Sequence, residues 1–323
     1  MSPAPPGART GNGVTARRWA RILRDLGHRV VVEQAYGGGG GDVLVALHAR
    51  RSAPSVEAFR QHHPTAPIVL ALTGTDLYRD GPSHESVRRS LELSTCYVVL
   101  QRLARDELPE ALRPRCHVIY QSAVPPRGAF RRPRGAFQAA VLAHLRPVKD
   151  PLLAAAAARL LPQSSTVGVV HAGGALDQAA EDAARTEEQT NPRYRWLGEL
   201  PRWQALRLLA RSHVLVLTSR AEGGANVVSE ALASSVPVLT TRVAGSVGIL
   251  GPDYPGYFDV GDADGLAAAL DRAETSPAFY VALEEGCRRV RGLVEPSAER
   301  EAWRALVASL ESATQLADRA VDR

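Results

Sequence analysis

The sequence predicts an α/β fold built from two doubly wound domains that face a central cleft. Short β-branched runs alternate with helical periodicity along the chain, the pattern of parallel sheets covered by helices. A length of 323 residues suits about two cores. Residues 122–135 are rich in Pro and Arg, lack apolar periodicity, and divide the alternation into halves. They read as an interdomain linker whose Arg127, Arg131, Arg132 and Arg134 form a solvated face. The expected domains are residues 1–135, including the linker, and residues 136–323.

In the first half, Ala16, Trp19, Ala20, Leu23 and Leu26 share one face of a helix over Val14–Leu26. Strands are expected at Arg29–Glu33, Asp42–Leu47, Ile68–Leu72, Tyr97–Leu100 and His117–Tyr120, with helices at Val56–His62 and Gln101–Leu112. In the second half, strands are expected at Ala139–Ala143, Thr166–His171, Tyr194–Leu197, Val214–Leu217 and Val236–Thr240. Helices fall between them at Pro151–Leu161, Leu176–Gln189, Arg202–Ala210 and Val227–Ala233. Three more, at Leu266–Glu274, Pro277–Arg289 and Ser297–Leu316, close the second domain.

Hydrophobic content of 45%, charged content of 23% and a net charge of +5 fit a globular protein that accepts anionic ligands. Scattered basic residues and few aromatics argue against nucleic acid. Cys96, Cys116 and Cys287 have no metal-ligand spacing and read as reduced thiols of a cytoplasmic protein. Residues 1–7 have no apolar core and do not resemble a signal peptide, and no apolar run approaches the ~18 residues that would span a membrane. Oligomeric state leaves no trace in the sequence.

Of the 39 basic residues, one is lysine, Lys149; the other 38 are arginine. Lys149 lies in His144-Leu145-Arg146-Pro147-Val148-Lys149-Asp150, where a predicted strand gives way to a helix. A point charge on a thin stem at that place suits a phosphate, with Arg146 as a second cation and the helix N-terminus behind it. The second signal is Glu222-Gly223-Gly224-Ala225-Asn226-Val227-Val228-Ser229-Glu230, after an apolar strand and opening a helix. Gly223 and Gly224 permit close backbone approach, and the N–H groups from Gly224 to Val227 would face an anion. Glu222 and Glu230, eight residues apart, can accept from two separate polyol groups. His144 and His171, at strand ends, are further donor-side candidates, as is Gly173.

The stretch Glu222–Glu230 resembles the E-x7-E motif of the retaining GT-B glycosyltransferases of family 4, and Arg146–Asp150 resembles that family's R-P-x-K-D loop. The resemblance implies a GT-B fold of two Rossmann-like domains and transfer of a sugar from a nucleotide donor. It implies that Glu222 contacts the donor sugar, Glu230 the ribose, and Arg146 with Lys149 the diphosphate. A narrower resemblance is carried by Gly11–Ala20, Leu47–Ser52, Thr73–Tyr78 and Gly251–Phe258. These are similar to the selenosugar synthases of selenoneine biosynthesis, which join selenophosphate to the anomeric carbon of a UDP-sugar and release UDP and phosphate. That family begins with a β-strand before a Pro-Pro-Gly turn, whereas this sequence starts at the turn, so its first sheet is expected to lack a strand.

On this reading Gly11, Asn12 and Gly13 form a loop that closes over the donor or the acceptor, and Thr15 lies on the acceptor side. The loops after Leu47 and Leu72 project from the C-terminal edge of the first sheet. Arg50 and Arg51 suit a phosphate-like acceptor, with His48, Thr73, Gly74, Thr75 and Asp76 orienting it or managing protons. Three rivals stay open. Gly11-x-Gly13-x-x-Ala16 with Glu33 fits a dinucleotide fingerprint, hence a nicotinamide-dependent oxidoreductase. An ordinary family-4 transferase would use a sugar or small-alcohol acceptor. A UDP-sugar sensor would bind without turnover. No metal and no cofactor is expected, since Asp262-Ala263-Asp264 sits where acids cap a helix, and Gly37–Gly41 precedes a strand rather than a helix.

Overall fold

A computed structural model describes residues 1–5, 10–78, 81 and 83–321, with side chains of the last helix described as far as residue 312. The Pro5-Pro6-Gly7 turn lies partly outside the described residues. Two compact units emerge, one of residues 1–121 with residues 296–323, the other of residues 122–295. The break therefore falls before the Pro- and Arg-rich stretch rather than after it, and the last helix joins the first unit instead of closing the second.

The first unit opens with α1 (Gly11–Asp25), whose apolar stripe buries Ala16, Trp19, Ala20 and Leu23. Thr10 caps it, its hydroxyl accepting from the Gly13 N–H at 3.4 Å, so Gly11, Asn12 and Gly13 are the first helical turn and not a loop. The strands β1 (Leu44–Leu47), β2 (Ile68–Leu72), β3 (Cys96–Val99) and β4 (Cys116–Val118) lie parallel in that order. Between them run α2 (Ala53–His62), the single turn α3 (Thr75–Tyr78) and α4 (Glu85–Leu93). β2 and β3 are buried at every position, as parallel strands covered on both faces must be.

Two expected elements differ. Residues 29–33 lie outside any sheet: β1, their would-be neighbour, is already met by Met1, and their carbonyls are met instead by the Ser2 N–H at Glu33, at 2.9 Å, and by the Arg24 guanidinium at Val30, at 2.8 Å. The segment Gln101–Leu112 is not one helix but two 3₁₀ turns, Arg102–Arg105 and Glu110–Arg115. Gln101 turns its side chain back onto the Leu103 N–H at 2.6 Å, and Pro109 and Pro114 interrupt a longer helix.

The second unit carries six parallel strands: β5 (Phe137–Leu142), β6 (Val167–Ala172), β7 (Tyr194–Trp196), β8 (Val214–Leu217), β9 (Val238–Thr241) and β10 (Tyr257–Phe258). Their spatial order is β7-β6-β5-β8-β9-β10, which numbered by appearance is 3-2-1-4-5-6, the order of dinucleotide-binding sheets. The direction of winding reverses between β5 and β8, so the loops after these two strands open on the same crevice. Helices α5 (Leu153–Arg159), α6 (Gln178–Thr190), α7 (Arg202–Arg211), α8 (Asn226–Ala233), α9 (Ala244–Leu250), α10 (Ala263–Thr275) and α11 (Pro277–Val290) complete the unit. Asp262 caps α10, its carboxylate accepting from the Gly265 N–H at 2.8 Å.

The last helix, α12 (Pro296–Val321), packs into the first unit. Trp303, Leu306 and Leu310 join the cluster of Trp19, Leu23 and Val98, with the Trp19 and Trp303 rings edge to face at 4.8 Å. Buried Glu299 ties the helices together, accepting from Trp19 Nε1 at 2.7 Å and from Arg18 Nε at 3.1 Å. Among the described residues no helix is long and apolar enough to cross a membrane.

Candidate active site

The loop after β5 and the turn after β8 meet at the winding reversal. Lys149 Nζ donates to Glu222 Oε1 at 2.5 Å, and Ser219 Oγ donates to the same oxygen at 2.5 Å. The two loops are also stitched backbone to backbone. The Arg220 N–H donates to the Val148 carbonyl at 2.9 Å, the Thr218 hydroxyl to the Lys149 carbonyl at 2.9 Å, and Arg220 pairs with Asp150 at 2.7 Å. Asp150 takes a positive φ of 43°, turning the chain sharply after Lys149. Arg146 stands exposed on the same loop.

Glu222 is buried, 7% exposed, and space around it is fixed by Gly245 on α9. A Cβ at Gly245 would lie 2.2 Å from the Glu222 carbonyl oxygen, so only glycine permits this approach. Gly223, Gly224 and Ala225 lead into α8, with Ala225 at its N-cap and Asn226 and Val227 in its first turn. Ala225 has no side-chain oxygen, so the N-cap residue itself caps none of the first-turn N–H groups. Glu230, one turn on, is ion-paired with Arg202 at the start of α7. Sequence reading missed Arg202 and Gly245, because each reaches the site through tertiary contact, and Ser219, because it lies three residues ahead of Glu222 and outside the motif.

His144 accepts from the Gly174 N–H at 3.1 Å, and burial, then neighbouring Arg146, holds its imidazole below the usual histidine range. It is therefore a neutral group beside the cations. His171 turns the other way. It is fully buried, with Nδ1 on Tyr194 Oη and Nε2 on the Ala143 carbonyl, both at 2.7 Å, and burial pushes it down to about 4. It is a core histidine, not a ligand group. Gly173 is forced by packing, since a Cβ there would fall 1.7 Å from the Ala143 carbonyl oxygen.

In the first unit, Asp76 is fully buried and accepts from the backbone N–H groups of Ala49, Thr73 and Gly74 at 2.8, 3.0 and 2.8 Å. Its carboxylate binds the loops after β1 and β2 to each other. His48, at a φ of 71°, places Nε2 2.9 Å from Thr75 Oγ1 and Nδ1 3.8 Å from Asp76. Arg50 and Arg51 are exposed at the same strand end. Thr15 is inward, its hydroxyl donating to the Gly11 carbonyl at 2.9 Å and accepting from Gln121 at 2.5 Å.

The profile of the family described as "Glycosyl transferases group 1" matches residues 127–290, half of the chain and nearly the whole second unit. The chain belongs to that family. This group 1 transferase is similar in fold to the Anabaena protein HepE solved in complex with UDP, with a TM-score of 0.70 and 15% identity over 83% of this chain and 79% of that one. It is similar to α,α-trehalose 6-phosphate synthase from Burkholderia multivorans, with a TM-score of 0.69 and 17% identity over 87% and 72% of the two chains. Sucrose-phosphate synthase from Thermosynechococcus elongatus matches at 0.68 and 16% identity over 84% and 74%. The nicotinamide reading of Gly11–Ala16 gives way to this assignment, and the two glycines that suggested it, Gly11 and Gly13, are accounted for by a capped helix start.

Proposed function

We propose that this transferase takes its sugar from a UDP-sugar and passes it to selenophosphate, forming a selenium–carbon bond. The observation that carries the donor half is the joining of Lys149, Glu222 and Ser219 at the winding reversal of the second sheet. Lys149 and Arg146 would hold the diphosphate, assisted by the α8 N-terminus, and Glu230 would take the ribose. Glu222 and neutral His144 would face the transferred sugar. HepE, of like fold, was solved with UDP and with UDP-glucose, which supports the choice of nucleotide.

The acceptor half rests on the resemblance of the first unit's loops to selenosugar synthases and on the exposed Arg50 and Arg51 beside His48. Selenium would attack C1 as the C1–O bond to UDP breaks, giving a sugar selenophosphate and UDP. Water then cleaves the P–Se bond, leaving the selenosugar and phosphate. An anionic nucleophile needs no strong base, which fits a site whose buried carboxylate in the first unit, Asp76, is occupied by backbone N–H groups.

The test is incubation with selenophosphate and a panel of UDP-sugars, reading the product mass for the selenium isotope pattern. A product with that pattern and stoichiometric UDP is expected. UDP released only with a sugar or alcohol acceptor would overturn selenophosphate in favour of an ordinary transferase. Saturable UDP-sugar binding without turnover on any acceptor would leave a sensor.

A further inference from the structure

Two buried side chains fix which way the hydroxyls of the turn α3 can bond. The turn follows β2, which lies between β1 and β3 in the first sheet. His48, just past the end of β1, and Gln101, just past the end of β3, therefore come to it from opposite sides. Both are buried, at 4% and 0% exposure, whereas Thr75 and Tyr78 are half-buried. Three residues apart on one helical turn, Thr75 and Tyr78 share a face.

Gln101 has one possible orientation. Its Oε1 accepts from the Leu103 N–H at 2.6 Å, which leaves Nε2 to donate to Tyr78 Oη at 2.7 Å. His48 is constrained in the same way. Its Nδ1 accepts from the Arg51 N–H at 3.4 Å, so the ring proton sits on Nε2, 2.9 Å from Thr75 Oγ1. The left-handed φ of 71° at His48 is costly for a residue with a Cβ, and the backbone bond from its N–H to the Ala71 carbonyl at 2.8 Å helps to hold it there. Each hydroxyl oxygen thus receives a proton from a fixed, buried donor and keeps its own proton to give away. Among the described residues neither hydroxyl has an acceptor for that proton. Burial, with Glu107 adding to it, raises the Tyr78 phenol above its ordinary range, so it remains a donor.

We infer that Thr75 and Tyr78 form a paired hydroxyl-donor site for a tetrahedral oxyanion, with His48 and Gln101 as the positioning residues behind them. In the reaction the oxyanion is the phosphoryl group of the acceptor, an assignment that rests on the selenophosphate reading above. Charge at the same sheet edge agrees, since Arg50 and Arg51 are exposed there. The guanidinium groups attract a dianion from water, and the two neutral donors orient it without adding a charge that must be desolvated. The same arrangement disfavours an alcohol acceptor. An alcohol must lose a proton to attack, and His48 turns an N–H, not a lone pair, towards the turn.

Titration with inorganic phosphate in the absence of nucleotide tests the site apart from the transfer reaction. The parent protein should bind phosphate saturably. Tyr78→Phe and Thr75→Val should each weaken that binding about tenfold or more, the usual loss for a hydrogen bond to a charged group, and Thr75→Ser, which restores the hydroxyl, should recover most of it. The KM for selenophosphate should rise by a like factor in the first two variants, far more than kcat falls, with UDP affinity kept. Lack of saturable phosphate binding by the parent overturns the inference, as does parent-like affinity in both Tyr78→Phe and Thr75→Val. A loss of UDP affinity as large as the loss for phosphate also overturns it, because the pair would then read the donor's diphosphate. An acid limb in the pH–rate profile that vanishes in His48→Gln would make His48 a base and overturn its role as a fixed donor. Phosphate binding that falls as expected while no selenium product forms upholds the oxyanion site and overturns only the selenophosphate reading.

Discussion

Replacing Glu222 with glutamine should tighten UDP binding while slowing turnover. Lys149 Nζ is committed to Glu222 Oε1 at 2.5 Å, with the lysine 31% and the glutamate 7% exposed. A diphosphate that recruits Lys149 must share its ammonium with a carboxylate and accept that carboxylate's negative charge nearby. Exposed pairs are worth 0.2–1 kcal/mol, and breaking fully buried ones costs about 3–5. A pair whose cation is one-third open to water falls between, at about 1–2 kcal/mol after allowing for screening. Glu222→Gln keeps the volume and keeps an acceptor for Ser219 Oγ, so it removes the competing charge with little loss of packing. The dissociation constant for UDP should then fall about five- to thirtyfold, by the usual 1.4 kcal/mol per decade. Titration calorimetry with UDP reads this directly, and kcat with a UDP-sugar should drop in the same protein. Unchanged or weaker UDP binding would show that Lys149 does not pass from the glutamate to a phosphate.

Lys149→Ala should lose about 2–4 kcal/mol of transition-state stabilisation in kcat/KM, and Lys149→Arg should also be impaired, because the planar fork cannot replace the point charge at Glu222. Full activity of the arginine protein would refute that geometry. Glu230→Ala should weaken UDP binding, whereas Arg202→Ala should change it in the opposite sense by releasing the carboxylate; equal losses in both calorimetric titrations would mean that Glu230 does not meet the ribose. Arg50→Ala and Arg51→Ala should raise the KM for selenophosphate and leave UDP affinity unchanged, a split that steady-state kinetics resolves. Burial pushes the Met1 ammonium from its ordinary 8.0 down to about 6 against a smaller opposing pull from Glu33. The unfolded chain therefore binds the extra proton between those values, so stability should rise with pH from 6 to 8, by at most about 2–3 kcal/mol, and level off above. Denaturant melts of the free and N-terminally acetylated chains should differ by this slope, and identical pH profiles would contradict it.

Parallel strands buried on both faces were the most legible feature. Ile68–Leu72 and Val214–Leu217 occupy the residues that their apolar runs mark out, because burial at every position leaves no periodicity to confuse. The valine run of residues 29–33 reads the same way and yet lies outside any sheet, since a strand needs a neighbour and β1 is met at that edge by Met1. Gln101–Leu112 has helical spacing, but a local side-chain cap and two prolines outweigh it. At the site, Lys149 and Glu222 were visible as an isolated lysine and a Gly-rich helix start. Their direct bond was not, because it spans loops 73 residues apart. Arg202, Ser219 and Gly245 matter only through what they touch. Gly173 and Asp76 carry structural tasks that no local pattern announces, a close strand approach and the acceptance of three backbone donors.

The return of α12 to the first unit has a consequence for synthesis on the ribosome. Residues 122–295 are contiguous, so the half carrying Lys149 and Glu222 can complete its core while the chain is still growing. The half begun first must wait: Trp19 keeps an open flank until Glu299, Trp303 and Leu310 have cleared the exit tunnel. Order of manufacture and order of completion are thus inverted. The nascent first half, with its indole and leucine surface uncovered for the longest time, is where a chaperone would be needed.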